Sequence, residues 1–292
     1  MHMAETGFGG LRVLALESRR AKEIATLIRN NGGVPTVVPV MREVPLESNE
    51  EAFAFARRLM AAEFDAVLFL TGAGTRILFQ AIETRIPRED FLAAMRRTRI
   101  VARGPKPVAV LREWGLSASI VSPEPSTWRE VLDALDNAAG GELRGMRIAV
   151  QEYGVPNQPL LDGLHDRGAV ITRVPVYQWA LPEDQSEMRG TIEALGRGAF
   201  DVVLFLTGTQ AAHLCQVAEQ MGRKTAVLQN LRRMVVVSVG PSTTEELSRQ
   251  GITPDFQPSH PKMGILVNES AQAAAHLLAL KRNTPPRASE AP

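Results

Sequence analysis

The chain has 292 residues, 45% hydrophobic and 22% charged, with a formal net charge of +1. That length suggests two domains, and the near-neutral balance gives no global basic field, so no nucleic-acid partner is expected and any anion site must be local. One cysteine, Cys215, excludes an internal disulfide framework and a multi-cysteine zinc site. No run approaches the ~20 apolar residues of a membrane span and no signal-peptide pattern opens the chain, so a cytoplasmic protein without membrane attachment is expected.

In chain order, residues 1–10 read as loose. A helix follows over 21–30, with Ile24, Leu27 and Ile28 on one face and Gly32-Gly33 ending it. Residues 38–45 are extended and carry Pro39 and Pro45, which remove ladder donors and exclude a central strand. The apolar runs 67–70, 100–102, 202–206 and 235–239 have the length and β-branched content of strands buried on both faces. Arg96-Arg97-Thr98-Arg99 reads as a solvated turn. Leu160, Leu161, Leu164 and Gly168 repeat the pattern of the first helix, and residues 174–182 form a second extended segment with Pro175 and Pro182. The residues from 283 to 292 read as a disordered tail.

The chain repeats itself. Gly10-Leu11-Arg12-Val13-Leu14-Ala15 matches Gly145-Met146-Arg147-Ile148-Ala149-Val150 at an offset of 135. Phe64-Asp65-Ala66-Val67-Leu68-Phe69-Leu70-Thr71-Gly72 matches Phe200-Asp201-Val202-Val203-Leu204-Phe205-Leu206-Thr207-Gly208 at an offset of 136, as Gly104-Pro105 matches Gly240-Pro241. The two proline-bearing segments are also equivalent, Pro39 to Pro175, and read as a pair of linkers that could pair with each other. Strand and helix alternate within each half. The fold class is therefore α/β, two doubly wound parallel-sheet domains related by the repeat and joined by two extended linkers.

Four features in this order, the βα unit opening at Val13, the twice-used Phe-Asp-x-Val-Leu-Phe-Leu-Thr-Gly run, the linker Val176-Tyr177-Gln178 and Val239-Gly240-Pro241-Ser242-Thr243, resemble the uroporphyrinogen-III synthase family over about residues 10–280. The resemblance implies that the first strand–helix–strand joins the last part of the chain while the middle forms an inserted domain. Domain one is then 1–39 plus 182–282, domain two 45–174, and the linkers 40–44 and 175–181; from the repeat alone a tandem arrangement fits equally well. It also implies the activity. Hydroxymethylbilane loses its hydroxyl as water, its last pyrrole ring is inverted, and the macrocycle closes to uroporphyrinogen III in a cleft, with no cofactor and no metal. A monomer is expected, with the linear tetrapyrrole handed over from hydroxymethylbilane synthase.

A substrate with carboxylates on every ring calls for backbone N–H groups at helix starts and a few cations. On this sequence the candidate binding residues are Arg19 and Arg20 after the first strand; Thr71, Gly72 and Ala73; Thr207, Gly208 and Thr209; Arg103 and Lys106; and Gly240, Ser242 and Thr243. Capping by threonine or glycine accounts for several of these without any ligand. Tyr177 matches the family's linker tyrosine, a phenol able to donate to the departing hydroxyl while neutral. Glu152 lies in a ligand-side loop but would repel a polycarboxylate, and takes no role. His260 is a further loop candidate, whereas His165, His213 and His276 show no metal-ligand spacing. Two departures from the family pattern stand out. Pro107 replaces the threonine expected opposite Thr243, and Gly72 and Gly208 stand where serine is frequent. They motivate the alternative of a non-catalytic relative, a ligand-sensing or regulatory module.

Overall fold

The structure is a computed structural model that describes residues 7–45, 49–139, 143–152, 154 and 156–283. The expectations for residues 1–6, Tyr153 and 284–292 lie outside the described residues. Residues 7–10 are not loose: Phe8 is fully buried, and its amide donates to the Asn31 carbonyl at 2.7 Å.

The first repeat runs β1 (Arg12–Ala15), α1 (Ala21–Asn30), β2 (Val34–Val37), β3 (Arg42–Pro45), α2 (Glu50–Met60), β4 (Ala66–Phe69), α3 (Gly72–Glu83), α4 (Arg88–Arg97), β5 (Arg99–Ala102), α5 (Pro105–Glu113), β6 (Ile120–Val121) and α6 (Trp128–Ala139). The second runs β7 (Arg147–Gln151), α7 (Gln158–Asp166), β8 (Val170–Val174), β9 (Tyr177–Ala180), α8 (Ser186–Gly196), β10 (Val202–Phe205), α9 (Gly208–Gln220), α10 (Lys224–Leu231), β11 (Val235–Ser238), α11 (Pro241–Arg249) and α12 (Met263–Asn283). The order is the same twice over, with β6 matched by a single bridge, Val237 to Phe256. Two expectations are corrected. The Arg96–Arg99 run is the end of α4 and the start of β5 rather than a turn, and Asn283 is the last residue of α12 rather than the first of a tail.

The chain divides into two compact units: a terminal unit of residues up to Arg42 and from Leu181 onward, and an inserted unit of Glu43–Ala180. Both breaks fall in the proline-bearing segments, where β3 and β9 pair into a two-stranded ribbon. The terminal sheet has the order β11-β10-β1-β2 and the inserted sheet β6-β5-β4-β7-β8, with every named pair parallel. Each sheet thus takes strands from both repeats, in the same order.

Each sheet is covered on both faces. In the terminal unit Val202 and Leu204 face α1 and α12, while Val203 and Phe205 face α8 to α11. In the inserted unit Val67 and Phe69 face α2 to α5, while Ala66 and Leu68 face α6 and α7. This period-two alternation on fully apolar strands is what double winding requires. An arginine–aspartate clamp closes the start of each sheet. Arg12 Nε and Nη2 each donate to Asp201 at 2.9 Å, and Arg147 makes the equivalent bonds to Asp65 at 3.1 and 2.9 Å.

Candidate functional site

Parallel strands put all their C-terminal ends on one edge, where helix starts gather and ligands bind. In the terminal unit that edge carries Arg19 and Arg20 after β1, Thr207, Gly208 and Thr209 after β10, and Gly240, Ser242 and Thr243 after β11. In the inserted unit it carries Thr71, Gly72 and Ala73 after β4, and Arg103 and Lys106 after β5. The sequence candidates therefore fall on two edges, one per unit.

Strand order reverses between β1 and β10, and between β4 and β7, the two switch points where the chain leaves on opposite faces. Each is closed by a buried glutamine that sequence reasoning missed. Gln210 Oε1 accepts from the Leu206 and Thr207 amides at 2.8 and 3.3 Å, and its Nε2 donates to the Leu16 carbonyl at 2.6 Å. Gln151 Oε1 accepts from the Leu70 and Thr71 amides at 3.3 and 3.4 Å, and its Nε2 donates to the Glu152 carbonyl. The amide sits in one place but comes from a helix in one unit and from a strand in the other. A Cβ at Gly74, the counterpart of Gln210, would collide with the Gln151 amide, so glycine there makes room for it. The Thr207-x-x-Gln210 spacing of a capping box was the available signal for Gln210; Gln151 had none.

Several candidates already have partners within the chain. Glu17 accepts the Arg19 and Arg20 amides at 2.9 and 3.1 Å, placing the protein's own carboxylate at the start of α1. The Arg20 guanidinium pairs with Glu23 at 2.6 Å, which raises its pKa through that hydrogen bond. Arg103 Nε donates to the Ser126 carbonyl at 2.6 Å, and Lys106 is exposed. Thr71 caps α3 by accepting from the Gly74 amide at 3.0 Å, and Thr207 forms the capping box of α9. Ser242 is exposed, whereas Thr243 is buried with its amide on the Gly240 carbonyl at 3.0 Å.

Tyr177 does not stand in an open linker. It begins β9, is 4% exposed, and its ring belongs to the core of the inserted unit, edge-on to Trp179 at a centroid distance of 5.5 Å. Glu152 is buried and held by Arg173 at 2.6 and 2.9 Å, a structural ion pair that removes it from consideration as a ligand group. His213 is half-buried on the Val40 carbonyl at 2.9 Å, and burial lowers its pKa; burial likewise pushes the Cys215 thiol up to about 11, so neither is poised for chemistry. His260 lies on an exposed loop with Nδ1 3.2 Å from Ser259 Oγ. Among the described residues no three His, Cys, Asp or Glu side chains group as a metal site, and no helix is long and apolar enough to cross a membrane.

The departures have physical causes. A Cβ at Gly72 would lie 2.7 Å from the Lys106 carbonyl oxygen and one at Gly208 2.5 Å from Glu246 Cβ, so α3 and α9 pack too closely on α5 and α11 for serine. Pro105 and Pro107 sit in the first turn of α5, where a missing N–H breaks no helix bond but removes donors from the sheet edge.

The two exchanged sheets, with amides and hydroxyls of helix starts along their C-terminal edges, define a pseudo-symmetric two-unit α/β protein. The family model for uroporphyrinogen-III synthase HemD matches residues 22–268, and the chain belongs to that family. A crystal structure of a triply substituted uroporphyrinogen III synthase from the extremely thermophilic bacterium Thermus thermophilus superposes with a TM-score of 0.72, at 25% identity over 91% of this chain and 100% of that one. A Methanothermobacter thermautotrophicus protein that carries the uroporphyrinogen-III synthase name provisionally is 31% identical over 80% of this chain and 87% of its own. YjjA of Bacillus subtilis, an uncharacterised protein, is 28% identical over 91% of this chain and 97% of its own.

Proposed function

We propose that the chain is an active uroporphyrinogen-III synthase, a cyclising hydro-lyase that converts hydroxymethylbilane to uroporphyrinogen III with inversion of the last ring and loss of water. The observation that carries this reading is the family match over residues 22–268 together with full coverage of the Thermus synthase fold. The chemistry asks little of acids and bases, because loss of the hydroxyl gives a stabilised azafulvene cation. The enzyme has chiefly to orient the chain of rings for closure. Helix starts supply that orientation by holding carboxylates, with Ser242, Thr243, Gly208 and Thr209 in the terminal unit and Thr71, Gly72 and Ala73 in the inserted one. Arg19, Arg103 and Lys106 add charge at the same edges. Arg20 and Arg103 act partly through the chain, given their bonds to Glu23 and Ser126. Tyr177 takes part through its hydroxyl alone, since its ring is buried.

A second reading, a sensing module that binds the tetrapyrrole without turning it over, is favoured by Pro107 in the first turn of α5, where the other repeat has Thr243. Expression in a haem-requiring bacterial strain that lacks its own uroporphyrinogen-III synthase separates the two. Growth without haem is expected. No growth, with the soluble chain present and able to bind uroporphyrin III, overturns the enzyme in favour of the sensor.

A further inference from the structure

The repeat supplies an internal control for the junction where the outermost strand, its helix and the returning loop meet. In the terminal unit Ser238 ends β11, Thr244 lies in the first turn of α11, and Gln257 follows the bridge from Val237 to Phe256. Thr244 Oγ1 donates to Gln257 Oε1 at 3.0 Å, and Ser238 Oγ is 2.5 Å from Thr244 Oγ1. A hydroxyl has one proton, and that of Thr244 goes to Gln257, so Ser238 is the donor in the inner link. Ser238 is fully buried and Gln257 exposed, so the chain of bonds runs from the sheet interior to the surface.

In the inserted unit the pair Val101 to Ile120 holds the same register as Val237 to Phe256, which makes Ala102, Val108 and Val121 the counterparts of Ser238, Thr244 and Gln257. All three are apolar. The same strand–helix–strand junction forms with them, so the fold does not require the polar chain. A buried hydroxyl is worth keeping only when fully bonded, and what such a chain adds is direction and rigidity. Its bonds brace the turn at Gly240, Pro241, Ser242 and Thr243 from both sides: from β11 through Ser238 and from the returning loop through Gln257.

We propose that Ser238, Thr244 and Gln257 are positioning residues that fix this turn against the substrate during ring closure, an assignment that rests on the synthase reading above. No substrate contact is assigned to them. They act through the turn, where a displacement of about 1 Å from the reactive geometry can cost on the order of 100-fold in rate.

The test uses the residues of the other unit as substitutions in the full chain. Ser238→Ala and Thr244→Val are expected to lower kcat at least about tenfold with KM changed less than about twofold, the signature of lost orientation rather than lost binding. Ser238→Ala, which removes the buried hydroxyl itself, should melt within about 3 °C of the parent, whereas Thr244→Val leaves the Ser238 hydroxyl unpaired and should melt several degrees lower, with Thr244→Ser recovering that loss. Thr244→Ser, which keeps the hydroxyl, should restore most of kcat. Parental turnover in both variants overturns the assignment, and so does a loss of kcat that parallels a loss of melting temperature and is not rescued by serine. A parent chain that yields only the type I isomer overturns the synthase reading itself, before any variant is made.

Discussion

Asp201 and Asp65 occupy equivalent places in the repeat but not equivalent surroundings. Hydrogen bonds from Arg12, joined by Arg282 at 2.7 Å, hold the Asp201 carboxyl well below the usual carboxylate range against the opposing effect of burial. Its side chain is 8% exposed, whereas that of Asp65 is 40% exposed, with a pKa lowered chiefly by its hydrogen bonds from Arg147. Asp201→Asn is expected to cost about 2 kcal/mol, as for losing charge-assisted hydrogen bonds from two half-exposed arginines to a buried carboxylate, and Asp65→Asn no more than about 1 kcal/mol, as for an exposed pair. A carboxyl depressed on folding stabilises above its unfolded pKa of about 4, and that stability drains away as pH falls through the lower folded value. Urea unfolding should therefore show the gap between parent and Asp201→Asn at pH 7 narrowing as pH falls below about 4. Equal losses at the two positions would contradict this account of the clamps.

Tyr177 shows where residue-level reading stops. The sequence marks it by resemblance, and a linker position suggests exposure, but β-pairing and the Trp179 contact bury the ring. Tyr177→Phe is expected to fold as the parent does and to lower kcat several-fold, whereas Tyr177→Ala should cost about 3–5 kcal/mol by opening a cavity. Unchanged turnover in the phenylalanine variant, measured with melting temperature, removes the hydroxyl from the mechanism. Arg20 and Arg103 were legible as cations near a sheet edge. Glu23, three residues on from Arg20, lay within reach of helical spacing, whereas Ser126, 23 residues from Arg103, was brought to it only by packing.

At the scale of elements, the two switch points solve one problem by exchanged means. Gln210 stands opposite Leu16 in the terminal unit, and Gln151 stands opposite Gly74 in the inserted one. Gly74→Ala is expected to destabilise by about 1–3 kcal/mol, since the Cβ meets the Gln151 amide in a packed interior. The double change Gly74→Gln with Gln151→Leu transplants the arrangement of the other unit and should recover most of that loss in denaturant melts. Failure of the pair to outperform Gly74→Ala would show that the two junctions are not interchangeable. The strands were legible from their short apolar runs and α1 from its apolar stripe. The exact ends of α4 and α12 were not, since polar runs such as residues 96–99 and 282–283 suit a helix end as well as a turn.

For the whole molecule, the repeat in the sequence is not the unit of packing. β1, with β2 on its outer side, pairs with β10, and β7, with β8 on its outer side, pairs with β4, so each sheet needs both repeats. The inserted unit is nevertheless one continuous segment, 43–180. Expressed alone, that segment is expected to melt cooperatively, whereas the first repeat alone, 10–144, is not, because β1 would lack its partner β10 and β4 its partner β7. A cooperative melt of the repeat and none of the segment would contradict the observed strand order. The repeat was visible in three collinear motifs, but the exchange of strands between repeats was not. Local patterning fixes which residues form strands and leaves open which long-range partner they find.

A uroporphyrinogen-III synthase is distinguished by directing ring closure of its linear tetrapyrrole to the type III isomer. The most direct measurement is the isomer ratio formed when the purified chain is added to hydroxymethylbilane synthase and porphobilinogen. The account predicts the type III isomer in excess, rising with the amount of chain added. Type I alone, at amounts that saturate the assay with a known synthase, would contradict it.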